Sequence, residues 1–248
     1  MTATATKSLR NRILNAMSDS DFALLQPHLD STPLRFRQRL QSANRSITDV
    51  HFIEDGIASV VAVGAGERRQ TEIAIVGYEG MTGVPVLLGA DRSPCEVFIQ
   101  VEGYGHSIAA EKLRAAFQQS RSLRDLLLRY THSQWVQASF TALANARGSI
   151  SERLARWLLM ARDRLECDRM ALTHEYLALM LGVRRAGVTA ALHKFEQKAL
   201  VTTARRSVTI IDRVGLEQIA NGLYGAPEAE YERVLGPKAT RSHRAIHT

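Results

Sequence analysis

Cysteine is scarce in this chain. Its 248 residues hold two, Cys95 and Cys167, with no Cys-x-x-Cys spacing. That is too few thiolates for an iron–sulfur cluster or an all-cysteine zinc site, so both read as isolated reduced thiols. No run of about 18 apolar residues occurs, which argues against a transmembrane helix. The stretch before Arg10 and Arg12 lacks the apolar block of a signal peptide. A bacterial, cytoplasmic protein with no membrane partner is the expectation. Histidine never occurs as His-x-His, and the region that reads as β holds only His51 and His106. The facing cluster of metal ligands that a cupin-like enzyme needs is therefore missing, as is a Gly-x-Ser-x-Gly nucleophile elbow. Neither a catalytic nor a metal site is expected. Acid is also short, with 25 Asp and Glu against 32 Lys and Arg, a net charge of +7.

The basic excess is uneven. Between positions 169 and 213, eight Lys and Arg face three acidic residues. A polyanion is the natural partner of such a stretch, because each neutralised phosphate releases condensed counterions. The same stretch carries the strongest pattern in the chain. Thr173 is a good N-cap, and Leu177, Met180 and Leu181 then fall on one buried face. Gly182 marks a hinge. After it, Val188, Leu192 and Phe195 point inward and leave Arg184, Arg185, Thr189, Ala190 and His193 on or near the outer face. This is helix-turn-helix spacing, with a second helix over 184–197 available to a DNA major groove. Two short β-prone runs separated by Arg205 and Arg206 follow and read as a hairpin wing.

Upstream the pattern differs. Residues 10–29 read as one or two short helices, and the first seven as unstructured. Short alternating or β-branched runs then appear at 34–40, 50–53, 57–63, 70–76, 95–101 and 106–108. Turn signals separate them, including Glu54-Asp55-Gly56 and Glu102-Gly103. Several strands so spaced indicate a sandwich or barrel. A short helix over 110–118 precedes a long one over 123–146, whose Leu123, Leu126, Leu127, Tyr130, Trp135, Phe140 and Leu143 exceed what one small barrel would cover. Pairing with the same helix of a second subunit would bury the surplus. Ser151 offers a cap for the helix that ends near Leu165, and a last short helix is expected over 214–223. The tail from Pro227 shows little apolar period and reads as mobile; His243 and His247 lie in it.

A β-roll, a long helix and a winged helix-turn-helix, in that order, resemble the Crp/Fnr superfamily of bacterial transcription regulators. The blocks that carry the resemblance are Ser151-Glu152-Arg153-Leu154-Ala155-Arg156-Trp157-Leu158-Leu159 and the stretch from Leu172 to Leu200. The resemblance implies an α+β chain with a jelly-roll-like β-roll over 1–120, a dimerisation helix over 121–148, a DNA-binding domain over 149–225 and a tail over 226–248. It implies a homodimer on a near-palindromic double-stranded DNA site, with RNA polymerase as a further partner. Arg184, Arg185 and Thr189 would reach base edges or adjacent phosphates, while Thr173, His174, Arg205 and Arg206 would lie along the DNA, the threonine and the wing arginines as phosphate clamps. Arg185 takes the place of a base-reading arginine. Ala186 replaces the neighbouring glutamate and Ala190 a common second arginine, so the family's familiar operator does not carry over.

The family's β-roll also implies a phosphate-binding cassette. Gly80, Thr82 and Gly83, followed by Arg92 and Ser93, match its glycine-rich turn and Arg-Ser pair. Met81 stands where the ribose-binding carboxylate would fall, which weighs against a cyclic nucleotide. A different small ligand, or a β-roll that only dimerises a constitutive DNA binder, are the alternatives. Haem would need an axial ligand from His51, His106 or His132, which no spacing supports, so no cofactor is assigned.

Overall fold

The computed structural model describes residues 7–65, 70–236 and 245–246. His243, His247 and the first six residues lie outside them. A two-residue strand β1 (Lys7–Ser8) pairs with β10 (Ala245–Ile246). Helix α1 (Arg12–Ala16) starts where the Asn11 side chain accepts from the N–H groups of Ile13 and Leu14, and α2 (Asp19–Leu25) is capped by Ser18. A 3-10 turn at Gln26–His28 leads into the sheet.

The β-roll is one antiparallel sheet built on two long strands, β4 (Asp49–Val63) and β6 (Cys95–Ala109), paired from Asp49↔Ala109 to Ala62↔Cys95. Strands β2 (Asp30–Leu34) and β3 (Arg39–Gln41) pair with β6, and β5 (Gln70–Val76) pairs with β4. The two turn signals at 54–56 and 102–103 are not turns. They lie opposite each other inside this pair, where the register shifts around Asp55 and Ile57. A Cβ at Gly103 would collide with the Asp55 carbonyl oxygen, so glycine there permits a bend in two continuous strands. Leu34, Ile53, Ala58, Val76, Val97 and Ile99 fill the inside of the roll.

A four-residue helix α3 (Val84–Leu87) crosses to β6. Helix α4 (Ala110–Gln119) then leads to α5 (Arg121–Arg147), whose 27 residues span about 40 Å at ~1.5 Å per residue. Leu123, Leu126, Leu127 and Tyr130 of α5 pack with Val50, Phe52, Met81 and Ile108 of the roll. Trp135, on another face, is 75% exposed, and Leu128 and Leu143 are exposed as well.

The C-terminal unit begins with α6 (Ile150–Leu165). Its cap is Ser149, not Ser151: the Ser149 hydroxyl accepts from the Glu152 N–H, and the Glu152 carboxylate accepts from the Ser149 N–H. This reciprocal pair satisfies two otherwise unpaired donors, which a cap at 151 would not do. Then come β7 (Arg169–Met170), α7 (His174–Leu181), α8 (Arg185–Gln197), β8 (Val201–Ala204), β9 (Ser207–Ile210) and α9 (Arg213–Ala220). Strand order β7-β9-β8 makes a three-stranded wing sheet where the sequence showed two strands. Ile57 and Ile75 of the roll share one apolar cluster with Leu154, Trp157, Leu177 and Phe195 of this unit, so the two units are docked.

The segment from Pro227 is not a featureless tail. Residues Ala226–Leu235 form α10, with Pro227 in its first turn and Tyr231 buried. The Tyr231 hydroxyl donates to the Glu79 carbonyl at 2.5 Å, and the Arg12 guanidinium holds Glu232 at 2.6 and 3.1 Å. Partners far away in sequence hold this helix in place, which explains its weak local pattern.

Candidate nucleic-acid interface

Helix α7 starts at Thr173, whose hydroxyl accepts from the Tyr176 N–H at 3.2 Å. It ends at Gly182, which takes the left-handed conformation at φ 61° and receives the last turn. Arg184 is the N-cap of α8, so the second helix begins one residue later than the sequence suggested. Val188, Ala191, Leu192 and Phe195 bury one face of α8. Arg184, Arg185, Ala186, Thr189, Ala190, His193 and Lys194 are exposed. The inner face is apolar and the outer face carries hydrogen-bond donors, which suits insertion into a groove.

Two side-chain links fix this surface. His174 Nδ1 lies 3.0 Å from the Thr189 hydroxyl and ties the start of α7 to the middle of α8. Glu196, near the end of α8, accepts from the Thr203 hydroxyl at 2.6 Å and from the Thr203 N–H at 2.9 Å. These bonds hold the Glu196 carboxyl below its ordinary pKa and anchor the wing to α8. At the wing tip Arg205 and Arg206 are exposed, with Arg206 at φ 59° in the turn. Thr173 and Arg206 also line a cleft of about 360 Å³ that the roll closes with Phe36, Arg37 and Glu102. Glu196 was missed by sequence reading; its only local signal was an acid on an otherwise basic helix.

The residues of the expected phosphate cassette have other partners. The Gly80 N–H donates to the Gly77 carbonyl, the Met81 N–H to the Tyr130 hydroxyl at 2.9 Å, and the Thr82 N–H to the His51 carbonyl at 2.9 Å. The Thr82 hydroxyl accepts from the His51 N–H, and the Tyr130 hydroxyl donates back to the Met81 carbonyl at 2.8 Å. Met81 itself is fully buried. Gly83, at φ 76°, caps α3. Arg92 is at the surface, paired with its neighbour Asp91 at 3.1 Å, and the Ser93 hydroxyl accepts from the Cys95 N–H. The structure therefore does not bring Arg92 and Ser93 into hydrogen bonds with the 80–83 loop. His106 lies 3.5 Å from Glu54, and His132 lies 2.7 Å from Glu230. His51 is buried, which lowers its pKa. Among the described residues, no group of three His, Cys, Asp or Glu side chains is placed to hold a metal ion. No helix among them is long and apolar enough to cross a membrane.

Residues 152–219 match the family described as the Crp-like helix-turn-helix domain. No curated protein matches the chain. Among solved structures, FixK2 from Bradyrhizobium japonicum aligns with a TM-score of 0.68 at 17% identity, over 80% of this chain and 98% of that one. A transcriptional regulator of the crp/fnr family from Eubacterium rectale aligns with a TM-score of 0.67 at 16% identity, over 85% of this chain and 98% of that one. CLP from Xanthomonas campestris, described as a c-di-GMP responsive global regulator, aligns with a TM-score of 0.64 at 15% identity, over 78% and 99%.

Proposed function

Starting from a chain with the Crp/Fnr fold and a Crp-like helix-turn-helix domain, the make-up of a DNA-binding transcription regulator, we propose that it works as a homodimer reading a near-palindromic DNA site. One observation carries this reading: Arg184, Arg185 and Thr189 stand exposed on a helix whose opposite face is buried, whose middle is tied to α7 and whose last turn is tied to the wing. Arginine can donate two parallel bonds to guanine O6 and N7, so Arg184 and Arg185 read bases, with Thr189 beside them. Thr173, His174, Arg205 and Arg206 hold phosphates and set register. The exposed Leu128, Trp135 and Leu143 of α5 support pairing with a second copy, which would set two α8 helices about one DNA turn apart. Such a protein works where the chromosome is, in the cytoplasm, with RNA polymerase as the partner that would turn DNA binding into altered transcription. The internally bonded 80–83 loop weighs against a cyclic nucleotide at that position.

Fluorescence anisotropy with genomic DNA fragments tests the reading. In the double variant Arg184→Ala/Arg185→Ala, the specific affinity falls by about 1–3 kcal/mol per arginine and thermal stability holds. Unchanged affinity would remove α8 from the role.

A further inference from the structure

A polar cluster sits in the joint between the β-roll and the DNA-binding unit, where the surrounding contacts are apolar. Its centre is Glu72 of β5, buried among Ser59 of β4, Gln100 of β6, Trp157 of α6 and Met180 of α7. Trp157 Nε1–H donates to Glu72 Oε1 at 2.6 Å, so the DNA-binding unit supplies one hydrogen bond. The roll supplies the other: Ser59 Oγ lies 2.5 Å from Glu72 Oε2 and 2.5 Å from Gln100 Oε1. Both separations suit O–H···O bonds and are short for an amide donor. A hydroxyl has one hydrogen and cannot supply two acceptors. With Gln100 oriented to accept, the orientation that the short separation favours, the cluster closes with one more proton. Carried on Glu72 Oε2, it donates to Ser59, and Ser59 donates to Gln100.

We infer that Glu72 is a proton-binding site that latches the DNA-binding unit onto the β-roll, holding the two docked when protonated and releasing them when ionised. The ligand of this site is the proton. Ionised, Glu72 would bury a charge whose neighbours cannot all be satisfied, and undocking would return it to water.

The charged and titratable groups facing Glu72 are few. Arg156 and Arg164 of α6 favour the carboxylate, and Tyr176 of α7 turns its hydroxyl toward Ser59. Arg153 of α6 lines the small cavity beside Glu72. Each arginine is engaged elsewhere: Arg156 with the Leu223 carbonyl and Thr141, Arg164 with Glu79 at 2.7 Å, and Arg153 with the Leu181 carbonyl. Burial prevails and pushes the Glu72 carboxyl from 4.5 up to about 7. The sign follows. Docking is strongest below pH 4.5, weakens as the undocked carboxyl ionises, and reaches its weakest level above about 7. The docking equilibrium changes by up to a few hundred-fold across that range, roughly tenfold for each pH unit between the two values.

The test uses the full chain without DNA, so its failure is separate from any failure of DNA reading. Nitroxides on the native Cys95 and Cys167, one in each unit, report docking, and the Trp157 indole N–H resonance reports the carboxyl. Between about pH 5 and pH 9 both signals are expected to move together in the parent protein and to stay constant in Glu72→Gln, whose amide mimics the protonated acid. A separation that does not change over this range, or that changes equally in Glu72→Gln, overturns the proposal. So does an indole resonance that titrates while the separation stays fixed. If Glu72→Gln does not fold, Ser59→Ala carries the test. It removes the side chain that bonds Glu72 Oε2, so the midpoint of both signals is expected to move, and an unmoved midpoint overturns the latch.

Discussion

The outer face of α8 and the 80–83 loop of the roll contain the same ingredients. Each follows or contains a left-handed glycine, Gly182 at φ 61° and Gly83 at φ 76°, and each offers polar groups beside a helix start. They use those groups in opposite ways. Around α8, the scaffold bonds are made by His174, Glu196 and Thr203, and the donors of Arg184 and Arg185 stay exposed. In the loop, three successive N–H groups are taken up by Gly77, Tyr130 and His51, and the intervening side chain is buried. A glycine-rich turn becomes a ligand site only if its donors are left over after the fold has taken what it needs.

Met81→Ala gives the largest expected break in this comparison. The side chain is fully buried against Phe52, Tyr130 and their neighbours, so truncation is expected to cost about 2–5 kcal/mol in urea unfolding, with DNA affinity per folded molecule unchanged. A cost under about 1 kcal/mol would mean that the loop is an open cradle and the comparison fails. Tyr130→Phe is a smaller and sharper break. It leaves the buried Met81 N–H without its acceptor, and about 1–3 kcal/mol of stability is expected to be lost with no loss of packing volume. Thermal unfolding reads both, and a neutral Tyr130→Phe would show that water reaches the loop.

What could be read from sequence depended on distance along the chain. The helix-turn-helix was legible because Thr173, Gly182 and the inward spacing of Val188, Leu192 and Phe195 all act within a few residues. The long α5 was legible for the same reason. Turn signals at 54–56 and 102–103 misled because the residues that end a strand also permit a bend inside one, and only the partner strand distinguishes the two. The cassette looked open because its blocking hydroxyl, Tyr130, lies 49 positions from Met81. The Glu72–Trp157 bond joins residues 85 positions apart, and a register shift between Glu72 and Ala74 turns Glu72 to the face of Ile75, against the strand's two-residue alternation, so no local pattern announces it. Helix α10 depends on Glu79 and Arg12, more than 150 positions upstream, which no window over its own residues includes.

The smallest expected effect on stability, and the sharpest contrast with Met81, comes from the wing tip. Arg205 and Arg206 are exposed, and Arg206 sits at φ 59°, a conformation that glycine adopts with less strain. Arg205→Ala/Arg206→Gly is therefore expected to change stability by less than about 1 kcal/mol, in either direction. Its effect belongs to the DNA. If the two arginines are phosphate clamps, each neutralises about one phosphate, and their loss lowers the slope of log affinity against log salt by about 2. That loss is expected to be nearly equal for specific and unrelated DNA, because phosphates carry no sequence. Anisotropy titrations over a series of salt concentrations separate the outcomes. A loss confined to one sequence would mean that the wing reads bases, and the Glu196–Thr203 link would then be setting specificity as well as register.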